Sequence, residues 1–115
     1  MRALSLCVAV AAMTIAAAAP AHADTADIVF VDAMNQHGLG CGQGAIKCDD
    51  DSTLTHVGRS ICYDIDVNGD SPVEAAQKLK GIAGDYISVI QAYEAVGIAI
   101  GAYCSWDQSK IPSAG

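Results

Sequence analysis

Four of the five cysteines in this chain lie downstream of an N-terminal segment that has the pattern of an export signal. These four are Cys41, Cys48, Cys62 and Cys104. An even number of cysteines in a small exported domain is typical of a disulfide framework, because compartments outside the cytosol are oxidising. We therefore expect a small domain, secreted or associated with the cell envelope, whose fold is stabilised by two disulfides.

The export signal is predicted over residues 1–23. Arg2 supplies a positive charge, an alanine-rich apolar stretch follows over residues 3–19, and Ala21-His22-Ala23 gives an A-x-A cleavage pattern before Asp24. A membrane anchor is the competing interpretation, but a membrane span needs about 20 strongly apolar residues, and this stretch consists mainly of alanine. We expect the signal to be removed and the mature protein to have no stable membrane insertion.

The mature chain, residues 24–115, has the length of a single domain. We expect its core over about residues 26–104, followed by a frayed C-terminal tail. All thirteen acidic residues lie in the mature chain against five Lys and Arg residues, so the mature net charge is −8. Such an acidic protein lacks the basic surface that nucleic acid or anionic lipid would require. We therefore expect neither as a partner, and the charge itself is accounted for by solubility.

Apolar residues recur at helical spacing in four segments. The predicted helices cover residues 25–37, residues 53–67 with Ser52 as N-cap, a third segment that starts at Ser71, and residues 85–104. The expected core-facing residues include Ile28 and Met34 in the first helix, Leu54 and Ile65 in the second, and Leu79 with Ile82 or Ala83 in the third. The fold class is therefore all-α, a small bundle of about four short helices.

The third segment carries the strongest local signal. Ser71-Pro72-Val73-Glu74 has the pattern of a capping box, with proline at the first helical position. The fourth segment is apolar on almost every side, which is typical of a central core helix or of a membrane span. Gln91 and Glu94 in its middle favour the core. Gly97 and Gly101 would let another backbone approach this helix closely, and we expect that approach to serve packing.

Three short motifs resemble a known family. They are Gly58-Arg59-Ser60-Ile61-Cys62, Ser71-Pro72-Val73-Glu74 and Ala99-Ile100-Gly101-Ala102-Tyr103-Cys104. Together they are similar to the small secreted mycobacterial domain of unknown function numbered 732, which pairs a G-R-x-x-C element with a terminal A-Y-C element around a short helical domain. The resemblance covers most of residues 27–104. It implies a fold and a compartment but no activity, since none is established for the family.

Four cysteines allow three disulfide pairings. We expect Cys41–Cys48, which closes a glycine-rich loop flexible enough to let the sulfurs meet, and Cys62–Cys104, which would join the second helix to the end of the fourth. The resemblance implies the second bridge. The loop with the first bridge departs from the family pattern, as does Ser105-Trp106 after the last cysteine. A zinc or redox site is the alternative, but C-x₆-C is not the usual C-x-x-C spacing.

One acidic segment has part of a calcium-loop pattern. Asp64, Asp66 and Asn68 occupy the first, third and fifth positions of such a loop, and Gly69 occupies the sixth. The twelfth position is Ala75, where a bidentate glutamate should stand. We interpret the segment as a helix end followed by a turn, and calcium stays open as an alternative.

We expect no catalytic residue, no cofactor and no metal ion. His56 and Ser60 share a helix face, but no G-x-S-x-G nucleophile elbow is present. The tyrosines Tyr86, Tyr93 and Tyr103 are expected at the core and its rim. The predicted function is a non-catalytic module that binds an unidentified protein. The alternative is a carrier of a small apolar or lipid ligand, which requires a closed apolar cavity of a few hundred Å³, whereas an interaction module requires an exposed apolar patch.

Overall fold

The computed structural model describes residues 15–111, with side chains from Thr25 onward. This part of the chain forms four α-helices and two short 3₁₀ helices. The α-helices are α1 (Ile15–Gln36), α2 (Asp51–Asp66), α3 (Pro72–Ala83) and α4 (Val89–Tyr103), and the 3₁₀ helices are Gly84–Tyr86 and Ser105–Lys110. The predicted all-α bundle is confirmed. Residues 1–14 of the predicted signal lie outside the described residues, and α1 continues through the expected cleavage site before Asp24.

Helix α1 ends where glycine permits a left-handed residue. Gly38 has φ of +74°, and its N–H donates to the Asn35 carbonyl at 3.2 Å. The Leu39 N–H reaches back to the Met34 carbonyl at 2.8 Å. This pair of hydrogen bonds is a Schellman motif, which satisfies carbonyls that the end of a helix leaves free. Leu39 follows it into the core, where it is fully buried.

The N-cap of α2 differs from the prediction. The Asp50 carboxylate accepts from the Thr53 N–H at 3.0 Å and from the Thr53 hydroxyl at 3.2 Å, whereas Ser52 lies inside the first turn. The predicted cap was therefore wrong by two residues. A carboxylate is as good an N-cap as serine and also suits the positive end of the helix dipole.

Two capping boxes begin the next helices. The predicted box at α3 is confirmed, because the Ser71 hydroxyl accepts from the Glu74 N–H and the Glu74 carboxylate accepts from the Ser71 N–H. An unpredicted box at α4 joins Ser88 and Gln91 in the same way. It starts α4 at Val89, so the segment predicted as one helix from residue 85 begins instead with a 3₁₀ turn.

Helix α4 lies at the centre of the bundle and contacts α1, α2 and α3. Its buried residues are Ala92, Ala95, Val96, Ala99 and Ile100, so the prediction of a core helix is confirmed. The small side chains on this face allow three neighbouring helices to pack around one. Among the described residues, no helix combines the length and the apolar character that crossing a bilayer requires.

The expected core residue Ile28 lies at the surface, and of the alternatives Ile82 and Ala83 it is Ala83 that packs against the core. Ile28 is 67% exposed and Ile82 is 86% exposed. Phe30 and Met34 fill the core from α1, and Ala75, Ala76 and Leu79 do so from α3. The sequence pattern located each helix, but several apolar positions competed for the buried face, and packing against α4 selected among them.

The glycine-rich loop between α1 and α2 contributes to the core. Leu39, Ala45 and Ile46 are buried. The 3₁₀ helix Ser105–Lys110 also replaces part of the expected frayed tail, and it buries Asp107. Residues 112–115 lie outside the described residues.

Candidate functional site

Two of the three family-like motifs, those that end in Cys62 and Cys104, meet at one place in the bundle. Cys62 of α2 and Cys104 at the end of α4 form a disulfide with a Cα–Cα distance of 6.0 Å. Both cysteines are buried. The bridge closes a long stretch of chain around α3, so its expected contribution is about 4 kcal/mol of unfolding free energy. The predicted pairing is present in the structure.

Gly58 in the first motif is a close-packing position. A Cβ atom there would lie 2.7 Å from the Phe30 ring and 2.8 Å from the Tyr103 ring. The two rings pack against each other with centroids 5.3 Å apart, within the favourable range for aromatic pairs. Glycine is therefore required for space, since the Phe30–Tyr103 pair occupies the volume that a larger side chain would need.

Arg59 and Tyr103 converge on one carboxylate. The Tyr103 hydroxyl donates to Asp27 Oδ1 at 2.5 Å, and Arg59 Nη2 lies 2.8 Å from the same oxygen. The Arg59 guanidinium also lies 4.9 Å from the centroid of the Tyr103 ring, which is cation–π distance. This cluster of Asp27, Arg59 and Tyr103 joins α1, α2 and α4, and every group in it has a partner.

The surroundings of Tyr103 keep its hydroxyl protonated. Burial disfavours the phenolate, and the hydrogen bond to the Asp27 carboxylate requires the phenolic proton, so the pKa of Tyr103 is raised well above its usual value of 10.0. A tyrosine with a raised pKa is a poor general base near neutral pH. Tyr103 therefore acts here as a packing and hydrogen-bonding residue.

The second disulfide closes the glycine-rich loop. Cys41 and Cys48 have a Cα–Cα distance of 5.1 Å. The loop rests against the α3–α4 connection, where Lys47 Nζ lies 4.7 Å from the centroid of the Tyr86 ring. Both cysteines are half-buried and pack on the core. The Cys41–Cys48 bridge therefore constrains the loop from which Ile46 packs into the core.

The acidic segment of residues 64–70 does not form a calcium loop. Asp64 accepts from the Asn68 side-chain amide at 2.9 Å, and Asp70 forms an ion pair with Lys78 at 2.5 Å. Lys78 Nζ also lies 3.8 Å from Asp64, and its pKa is raised, chiefly by the hydrogen bond to Asp70. The Lys78 ammonium group lies between Asp64 and Asp70, where a bound cation would lie. Asp66 does not contact Lys78 and interacts with a different element.

Asp66 contacts the C-terminal 3₁₀ helix, Ser105–Lys110. The Trp106 indole N–H donates to both oxygens of Asp66 at 3.2 Å, and Asp107 lies beside them, 1% exposed. Lys110 Nζ is 2.9 Å from Asp107 Oδ1. Asp107 Oδ2 is buried without a hydrogen-bond partner among the described residues. Sequence reasoning missed this site because Asp66 and Asp107 are far apart along the chain.

The histidine and serine considered as a nucleophile pair lie on one face of α2 but are not joined by a hydrogen bond. His56 and Ser60 are both exposed, and within residues 25–111 no hydrogen bond links either side chain to the other. Asp64 is engaged with Asn68 and lies near Lys78. The structure thus forms the expected disulfides but shows no hydrogen bond between His56 and Ser60 among the described residues.

Five large apolar side chains around the α3–α4 connection are exposed. They are Ile82, Tyr86, Val89, Ile90 and Tyr93, and we call them together the corner surface. Ile90 is 72% exposed and Tyr86 is 55% exposed. On α4, Ile90 and Tyr93 are three residues apart and therefore share a face of the helix. Further along the same helix, no atom of another described element lies within 4 Å of a Cβ built on Gly97, so the close packing expected at this glycine is absent from the described part of the chain.

The cavities among the described residues are mostly open. A groove of about 650 Å³ between α1 and α2 is lined by Asp27, Asp32 and Asp51 together with Ile28 and Val31. A second open groove of about 710 Å³ lies along the disulfide loop. An apolar cavity between α3 and α4 is only about 120 Å³, well below the 300–1,000 Å³ typical of ligand pockets.

Comparison with known proteins identifies a family. A family model described as "Protein of unknown function (DUF732)" matches residues 23–106. No curated protein matches the chain, and no solved structure does. The matched region contains all four disulfide cysteines and the cluster of Asp27, Arg59 and Tyr103.

Proposed function

We propose that this chain, which belongs to the DUF732 family, is a non-catalytic helical module that is exported and binds a partner protein through its corner surface. The observation that carries the proposal is the exposure of five large apolar side chains around one helix connection. Contiguous exposed apolar patches on small proteins commonly mark interaction sites. Two disulfides are compatible with an oxidising compartment, which supports export.

The chemistry of the corner surface favours a protein partner. Aromatic side chains are enriched at protein interfaces because they bury a large area with few rotatable bonds, and Tyr86 and Tyr93 supply two here. The surface also lies on rigid elements, since the Ser88–Gln91 capping box fixes the start of α4 beneath it. A preformed apolar patch loses little conformational entropy on binding.

The arrangement of titratable groups supports a non-catalytic role. Asp27 is bound by Arg59 and Tyr103, and His56 lies exposed on α2 without a partner carboxylate among the described residues. An enzyme site normally combines a cleft with converging titratable groups whose pKa values are tuned for proton transfer. Asp27, Arg59 and Tyr103 do converge, but they bind one another, so none of them is directed at a substrate.

A carrier of an apolar or lipid ligand is the second candidate. It rests on the cavity between α3 and α4, which is lined by Ala76, Val89, Ala92 and Tyr93. That cavity holds only about 120 Å³. A lipid would need α3 and α4 to separate, and this movement would expose core residues, so the interaction module is the better supported proposal.

Site-specific photocrosslinking tests the proposal. A benzophenone amino acid is placed at Ile90 in the corner surface, and at Ile28 on α1 as a control of similar exposure. We expect a discrete protein adduct from the Ile90 position in the protein's own secretion medium, and none from the Ile28 position. The adduct should disappear when Tyr93→Lys is added. Equal adducts from both positions would refute the surface, and a lipid adduct from Ile90 would favour the carrier.

A further inference from the structure

Asp66 and Asp107 form a pair of carboxylates whose charge the surrounding residues only partly neutralise. Lys110 contacts Asp107 Oδ1 at 2.9 Å. Trp106 donates one N–H to Asp66, which supplies a hydrogen bond but no charge. Two negative charges therefore face one positive charge in direct contact.

The buried Asp107 oxygen that lacks a hydrogen-bond donor marks the position at which a cation would bind. The Asp107 side chain is 2% exposed, and its Oδ2 atom has no hydrogen-bond donor among the described residues while both carboxylates are ionised. The two carboxylates can hydrogen-bond to each other only when one of them carries a proton, and this contact raises the pKa of Asp66. A buried carboxylate oxygen without a partner costs free energy unless a ligand satisfies it. An Asp107 oxygen and an Asp66 oxygen lie within 4.8 Å of each other, so both can face a single bound ion.

We propose that Asp66 and Asp107 bind a hard divalent cation, Ca²⁺ or Mg²⁺, between the end of α2 and the C-terminal 3₁₀ helix. Carboxylate oxygens are the ligands that these ions prefer, and Ca²⁺–oxygen distances of 2.3–2.6 Å allow one ion to bridge two oxygens up to about 5 Å apart. Water completes the coordination sphere on the exposed side of Asp66. Cys104 Sγ lies in the same cluster, but it is part of a disulfide and does not act as a thiolate ligand.

The site is independent of the calcium-loop pattern in the sequence. That pattern relied on Asp64 and Asn68, which bond each other, whereas the proposed ligands come from elements 41 positions apart in the sequence. The proposed cation site also differs from the sequence-based expectation that the chain binds no metal ion. The groove beside Asp66 is lined by Arg59, but that guanidinium is engaged with Asp27 and with the Tyr103 ring.

Trp106, the single tryptophan of the chain, allows a direct test. Tb³⁺ is used as the probe, because it resembles Ca²⁺ in ligand preference and emits when a nearby indole is excited. We expect Tb³⁺ emission on excitation of Trp106, and loss of that emission when Ca²⁺ or Mg²⁺ is added in excess. The Ca²⁺ dissociation constant derived from this competition should be about 0.1–1 mM, the range of weak extracellular sites. Separate Ca²⁺ and Mg²⁺ titrations show which ion is preferred.

Two variants make the test specific. Asp66→Asn keeps an oxygen for the Trp106 N–H but removes a charge, and should weaken Tb³⁺ binding at least tenfold. Asp85→Asn changes an exposed acidic residue elsewhere and should leave binding unchanged. Emission that is absent, or equal in both variants, would overturn the proposal. So would a Trp106 signal that responds to pH but not to either ion, because the carboxylates would then share only a proton.

Discussion

Tyr103 donates a hydrogen bond of 2.5 Å to Asp27, which lies 76 positions earlier in the sequence. This contact joins α1 to the end of α4, and Arg59 of α2 adds an ion pair to the same oxygen at 2.8 Å. The arginine of the G-R-x-x-C element and the tyrosine of the A-Y-C element thus meet on one carboxylate. We conclude that these motif residues hold three helices together, next to the disulfide formed by the cysteines of the same motifs.

Tyr103→Phe should lower stability by about 1–2 kcal/mol, since it removes a hydrogen bond to a charged acceptor but keeps the ring against Phe30. Because the folded-state pKa of Tyr103 is raised above its unfolded value, this stabilisation is complete below about pH 10 and is lost as the pH rises further. The Tm difference between wild type and Tyr103→Phe should therefore shrink above about pH 10. Tyr63→Phe, at an exposed position, is the control, and a pH-independent difference would contradict the role of the Asp27 contact.

Gly58→Ala should destabilise the fold by about 1–3 kcal/mol, because the added methyl group would overlap the Phe30 and Tyr103 rings. Gly97→Ala is the matched control on α4, where a Cβ meets open space. It should stabilise the protein by about 0.5–1 kcal/mol through helix propensity. Urea unfolding of both variants measures the difference, and equal effects would show that Gly58 is not required for space.

Removal of each disulfide should have unequal effects. Replacing Cys62 and Cys104 by alanine should cost about 4 kcal/mol, and replacing Cys41 and Cys48 should cost about 2.5 kcal/mol, because the first bridge closes the longer loop. The first pair is also buried whereas the second is half-buried. Denaturant unfolding under oxidising conditions gives both values, and the reverse order would contradict the scaffold role of the long bridge.

Asp50→Ala should cost about 1 kcal/mol, since it removes the N-cap of α2. Ser52→Ala, at the position that the sequence pattern favoured, should change stability by less than about 0.5 kcal/mol. Thermal unfolding of both variants decides between the two caps. A larger loss from Ser52→Ala would restore the sequence-based assignment.

Local sequence patterns predicted the features that depend on neighbours in the chain. The Ser71–Glu74 capping box and the four helical segments each depend on residues within a few positions of one another, so their causes are visible in the linear sequence. The same reasoning missed the Ser88–Gln91 box, although its spacing is identical to that at Ser71. The signal was present, but the apolar run that continues through it suggested one uninterrupted helix.

The sequence by itself determined the helices, the number of covalent cross-links and the acidic character, because helix periodicity, cysteine count and charge are properties of the chain. Tertiary structure alone decided which apolar residues became core, so that Phe30 is buried while Ile82 is exposed. It also brought Asp27 to Tyr103 and Asp66 to Asp107. Those pairs depend on how helices pack around α4, and packing selects among many faces of similar hydrophobicity that the linear sequence leaves equivalent.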